Sequence, residues 1–217
     1  MKFSTRHTSF ILVLILLFSG CYLKSVHPLV TTEQAVLLDG LEGRWETESQ
    51  RWTFINDPRN LPNLDLSTFD IEDFSVDEDE DITEKLYLVL YEDFEDKSID
   101  SSIYIGAVGE FNGAHFLDLS VFDIGSSSNL KQAHYFPVHT FSKLHVVNDT
   151  LNIEFFKDSW IEELIENNRI RIKHEKENGE ILVTASTNEL QKFVTKYAHD
   201  KRAFDDPKVL KRANETP

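Results

Sequence analysis

The sequence predicts a single, mainly β domain of antiparallel strands, with a short N-terminal helix, one inserted helix and a C-terminal helix. Three observations carry this expectation. Short segments alternate apolar and polar residues with a period of two, as in Leu151-Asn152-Ile153-Glu154-Phe155. Asn112-Gly113 and Asn178-Gly179 stand between such segments and read as hairpin turns. Helical spacing is confined to a few places, clearest in Leu190, Phe193, Val194 and Tyr197.

In order along the chain, Thr32 precedes Glu33–Leu38, a short helix stopped at Gly40. Gly43-Arg44-Trp45-Glu46-Thr47 enters a strand, and Arg51–Ile55 follows as its hairpin partner or as the continuation of a bent strand. Residues 56–83 break the pattern, with ten acids against Arg59 alone and two prolines, and read as a long acidic loop. Lys85–Tyr91, Ile103–Val108 and His115–Leu119 read as strands, the last two joined through Asn112-Gly113. Tyr135–Val147 is extended and turns at Asn148-Asp149 into Leu151–Phe155.

Asp158 or Ser159 caps a helix bearing Trp160, Ile161, Leu164 and Ile165, with Glu162 completing a capping box on Ser159. Arg169–His174 alternates as a strand, and Asn178-Gly179 turns it into Ile181–Ala185. Ser186 and Glu189 form a second capping box before the last helix, Thr187–His199. Residues 205–217 read as a helical turn and a frayed end, so no strand is assigned after that helix. About nine strands in one unit give one domain, residues 32–204.

Residues 1–20 read as a secretory signal: Lys2 and Arg6, the apolar run Phe10–Phe18, then small Ser19-Gly20. The apolar run is about half the ~20 residues a spanning helix needs. Cys21 is the single cysteine of the chain, and Ser19-Gly20-Cys21 resembles a lipobox, with Phe18 where leucine is commonest. Cleavage before Cys21 and its acylation would anchor the protein in a leaflet, each buried methylene contributing about 0.8 kcal/mol. Residues 21–31 then serve as the tether. Tyr22 stands where aspartate favours inner-membrane retention, so the expected location is the outer membrane, on its periplasmic face.

The net charge of −16 becomes about −18 once Lys2 and Arg6 are removed. Nucleic acid is excluded as a partner, because phosphate contacts need clustered Lys and Arg. Neither disulfides nor thiolate metal sites are available, so sixteen Phe, six Tyr and three Trp must supply the core.

Gly43-Arg44-Trp45, placed after a short helix at the first strand, resembles the Gly-x-Trp signature of lipocalins and related calycin barrels. The resemblance implies an antiparallel β-barrel, a tryptophan closing one end, an arginine packed over it, and a helix outside the wall, as Thr187–His199 would supply. That arginine is assigned to no residue from the sequence. Residues 134–204 also look similar to bacterial lipoproteins of unassigned activity, through His134–Phe141, Asp158-Ser159-Trp160 and Leu182–Thr187 with Glu189-Leu190-Gln191.

No catalytic set emerges. Eight histidines show no zinc-like spacing, although His139 and His145 could share a strand face with His115 or His134 across the sheet. Asp77–Asp81 fails as a calcium loop, since Ile82 and Leu88 fall where glycine and glutamate are required. No nucleophile elbow or phosphate-binding glycine loop is present. The expectation is a non-catalytic lipoprotein without cofactor or metal, anchored through Cys21. Its barrel would bind an apolar or amphipathic ligand, with Trp45, Trp52, Tyr87 and His139 as candidate contacts. The alternative is an envelope protein–protein interaction module with a filled core.

Overall fold

The computed structural model describes residues 22–56, 85–94, 99–122 and 136–213. The signal and Cys21, the acidic loop beyond Asn56, and His134 lie outside the described residues. Eleven strands are described: β1 (Lys24–Ser25), β2 (Gly43–Glu46), β3 (Gln50–Ile55), β4 (Leu86–Asp93), β5 (Asp100–Phe111), β6 (Ala114–Val121), β7 (His139–Val147), β8 (Thr150–Phe155), β9 (His174–Glu177), β10 (Glu180–Val183) and β11 (Lys208–Arg212). Two α-helices, α1 (Asp158–Glu166) and α2 (Thr187–Tyr197), and 3-10 turns at Thr32–Gln34 and Lys201–Ala203 complete them.

Eight of the strands close into an antiparallel barrel in the order β2-β3-β4-β5-β6-β7-β8-β11, with β11 returning to β2. Closure leaves no unpaired sheet edge around the ring. The Asn-Gly turns work as the sequence implies: Asn112 and Gly113, and Asn178 and Gly179, all adopt positive φ. Outside the ring, β1 pairs with the start of β7 at His139-Thr140, where β8 no longer reaches. β1 also runs parallel to β10, which is hairpinned to β9.

The closing strand differs from the sequence expectation. Residues 208–212 are no frayed end; they fill the gap between β8 and β2. Lys208, Lys211 and Arg212 hide the strand from pattern reading, because only Leu210 is buried along it. Three smaller differences concern where elements begin and end. The N-terminal helix is a single 3-10 turn. The strand expected at Arg169–His174 begins only at His174. α1 starts after Lys157 with no side-chain cap, whereas the Ser186–Glu189 capping box forms as expected.

Two large cores use the two faces of the wall. The inner one takes side chains from all eight barrel strands: Trp45, Trp52, Phe54, Tyr87, Val89, Val108, Leu117, Leu119, Leu144, Leu151, Ile153, Phe155 and Leu210. The outer one lays Trp160, Ile161 and Leu164 of α1 and Leu190, Phe193 and Val194 of α2 against Phe116, Phe141 and Phe156. Each fully buried side chain of this size contributes roughly 1.5–3 kcal/mol. Leu23, Leu29 and Val30 join that outer core. Residues 22–31, read above as a tether, are therefore packed on the domain.

Candidate functional site

The lower end of the barrel carries the Asn112-Gly113 and Asn148-Asp149 turns; the upper end carries the β2–β3, β4–β5 and β6–β7 connections. The lower end is sealed. Trp45 is fully buried, and its indole N–H donates to the carbonyl of Leu41 at 2.7 Å. Arg212, its register partner on β11, lies over the ring with Cζ 4.1 Å from the centroid. The guanidinium donates to the carbonyls of Glu42 (2.9 Å) and Gly40. Gly43 makes room for this: its φ is +120°, and a Cβ there would lie 2.7 Å from Arg212 Nη1. The glycine and tryptophan of the Gly-x-Trp motif thus meet at one arginine.

The chain before β2 crosses this end. Val36 N–H donates to the Val108 carbonyl at 2.8 Å, and Leu38 N–H donates to the Tyr87 hydroxyl at 2.9 Å. Burial pushes the Tyr87 hydroxyl above the usual phenol range, only partly opposed by that hydrogen bond. Tyr87 is thereby a bolt of the seal, although the sequence also suggested it as a ligand contact.

The interior next to the seal, facing the upper side, is finished differently. Trp52, one register step across from Trp45 on β3, packs its ring edge-on to Tyr91 at 5.0 Å. It is 95% buried, yet its indole N–H has no hydrogen-bond partner among the described residues. Ser142, on β7 across the barrel from β3, is buried beside Phe155 and Leu117, and its Oγ likewise has no partner. A buried donor left unmade costs about 1–3 kcal/mol, so two inside one barrel need a reason.

Around these atoms stand half-buried aromatics. The Tyr91 hydroxyl donates to Asp93 Oδ2 at 2.8 Å. Burial first, and then that carboxylate, hold it far above the usual phenol range; Tyr22 and Tyr104 lie near enough to add to the shift. Gln50 links Asp93 (3.4 Å) to the ammonium of Lys208 (3.3 Å). The Tyr22 ring sits 4.6 Å from that of Phe155, on the rim where β8 ends.

His139 belongs to neither end. It is on the outer face of β7, with Nδ1 2.8 Å from Asp118 Oδ1. Asp118 is buried, and its other oxygen accepts from the backbone N–H groups of Leu29 (2.6 Å) and Val30 (3.1 Å). The pair clamps the N-terminal segment to the wall. Of the four ligand contacts suggested by sequence, Trp52 faces the upper interior, Trp45 and Tyr87 lie in the seal, and His139 is outside. Nothing in the sequence marks Tyr91, Tyr104, Ser142 and Phe155, because alternation reports that a strand has two faces without saying which one turns inward.

A separate cleft of about 340 Å3 lies on the outer wall, lined by His115, His145 and His199 with Lys143, Asn152 and Glu154. Lys143 is held by Glu154 at 3.0 Å, and His199 by the Asn112 carbonyl at 2.8 Å. No group of three or more metal-capable side chains occurs among the described residues. The architecture is an eight-stranded antiparallel barrel consistent with a lipocalin-like fold. The chain matches no protein-family model, no curated protein and no solved structure.

Proposed function

We propose that this is a bacterial lipoprotein, acylated on Cys21 and held on the periplasmic face of the outer membrane. Its lipocalin-like barrel binds an apolar or amphipathic ligand in its upper half and catalyses no reaction. The sealed Trp45–Arg212 end and the helix α2 on the outer wall support the lipocalin comparison. The observation that carries the binding reading is the pair of unpartnered buried atoms, Trp52 Nε1 and Ser142 Oγ, on opposite walls. A ligand with an apolar body and an oxygen acceptor would satisfy the indole, and the surrounding aromatic rings suit its body.

Titration of the purified chain with a fluorescent apolar probe tests this. Saturable one-to-one quenching of tryptophan emission is expected, with affinity reduced at least tenfold in Trp52→Phe. Absence of saturable binding across fatty-acid-like and aromatic probes would overturn it.

The filled-core alternative draws on the lower half, where Trp45, Phe54, Val89, Val108, Leu117, Leu151, Ile153 and Leu210 are fully buried. An envelope protein partner would then be recognised by the outer surface, and native mass spectrometry of the extracted protein would find no small molecule. The anchor is tested separately. Cys21→Ala should release the protein from the membrane fraction or block its processing, and normally processed protein retained in the membrane would sink the lipoprotein reading.

A further inference from the structure

We infer that the barrel ligand is an amphipathic carboxylate and that Lys208 receives its head group. The anionic end sits on the Lys208 ammonium, and the apolar body runs inward past Phe155 toward Ser142 and Trp52. This rests on the reading of the barrel interior as a binding site. It deepens that reading by naming the class of molecule and the residue that selects it.

The inner face of β11 reads Lys208, Leu210, Arg212. Leu210 is fully buried in the inner core opposite Leu151. Lys208, two residues before it and opposite Ile153 of the same core, takes the same inward direction. The two cations on this face are used differently. Arg212 covers Trp45 and donates to the carbonyls of Glu42 and Gly40. Lys208 is half-buried and donates one hydrogen bond, to Gln50 Oε1 at 3.3 Å. Its Nζ lies 5.9 Å from the centroid of the Phe155 ring, and it forms no ion pair among the described residues. A lysine without a carboxylate is ordinary on a surface. One aimed into a barrel, with N–H groups to spare, is not.

Gln50 is what keeps this ammonium unpaired. Its register partner Asp93 would be the natural counter-ion. The Gln50 carboxamide stands between the two, donating to Asp93 Oδ2 at 3.4 Å while accepting from Lys208. The same carboxylate oxygen accepts the Tyr91 hydroxyl at 2.8 Å, so Asp93 is already engaged. Beside the apolar Phe155 ring, a carboxylate on Lys208 is attracted more strongly than it would be in open water. Phe155 is in turn the register partner of Ser142, whose hydroxyl has no partner among the described residues. Head group, ring and spare hydroxyl therefore follow one another along neighbouring strands. The net charge of −16 repels anions at a distance. A preference for a carboxylate over its neutral analogue must then come from contact at this lysine.

The test titrates the purified chain with cis-parinaric acid and with its methyl ester, which share one fluorescent hydrocarbon chain and differ in head-group charge. At neutral pH the wild type is expected to bind the acid roughly tenfold or more tightly than the ester. Lys208→Gln, which can still donate to Gln50, should lower the acid to the affinity of the ester and leave the ester unchanged. Lys208→Arg should restore the preference. Lys211→Gln, on the opposite face of β11 beside Thr150, should match the wild type. Far-UV circular dichroism checks that each variant is folded. Equal affinities for acid and ester in the wild type, or an equal loss of both in Lys208→Gln, would overturn the head-group assignment and leave interior binding standing. Binding of neither probe would instead remove the interior-binding reading, and this inference with it.

Discussion

At the lower end of the barrel, Trp45 donates its indole N–H to Leu41 and lies under Arg212; Trp52, its register partner one strand over, is almost as deeply buried, packs on Tyr91 and finds no hydrogen-bond partner among the described residues. The two indoles share a hairpin, so the difference is one of surroundings. The lower end has the chain's own backbone laid across it, with the carbonyls of Gly40, Leu41 and Glu42 all accepting bonds. The upper end has rings and a Gln50–Asp93–Lys208 polar chain around a donor left over. One indole is tied into the seal, and the other leaves its donor unused among the described residues.

The contrast can be broken by experiment. Trp45→Ala should have the largest effect, about 3–5 kcal/mol of lost stability in chemical denaturation, since it empties a sealed site and orphans Arg212. Gly43→Ala should cost about 2 kcal/mol by the same measurement, from a positive φ and from displacement of Arg212. A near-neutral result there would mean that the arginine does not hold the seal.

The third prediction concerns pH on the upper side, where α1 begins. Asp158 is half-buried, and its carboxyl is raised to about 6, first by burial, then by Asp205, with Glu162 and Glu180 adding and Lys24 opposing. The folded form therefore takes up this proton at higher pH than the unfolded chain does. Above pH 6 the charged carboxylate is a full penalty, and stability from this group rises as pH falls from about 6 toward 4. After allowance for solvent, the gain is on the order of 1 kcal/mol. Asp158→Asn should flatten that part of the stability–pH profile and raise stability at pH 7. A profile identical to wild type would remove the effect.

The smallest effects are expected at the upper interior. Trp52→Phe and Ser142→Ala each delete an unpartnered polar atom, so stability should stay within about 1 kcal/mol of wild type. A cost for Trp52→Phe equal to that of Trp45→Phe would erase the distinction between the two indoles.

Much of the scaffold was legible in the chain. Period-two alternation located Leu151–Phe155, the Asn-Gly pairs located two hairpins, and Ser186 with Glu189 located the start of α2. The candidate site was legible only in Trp52. Nothing adjacent in sequence distinguishes it from Trp45, its register partner, which closes the lower end.

What the sequence by itself determined are the features written within a few residues of each other: the strands, the turns, the capping box, and the lone Cys21 behind an apolar run. Tertiary structure alone decided that Lys208–Arg212 closes the barrel, that Arg212 covers Trp45, that Asp118 clamps Leu29 and Val30, and that Trp52 and Ser142 face inward without partners among the described residues. The reason is physical. Local signals come from the backbone and its nearest side chains, whereas closing a barrel joins the two ends of the chain, and only closure assigns each face of a strand to the inside or the outside.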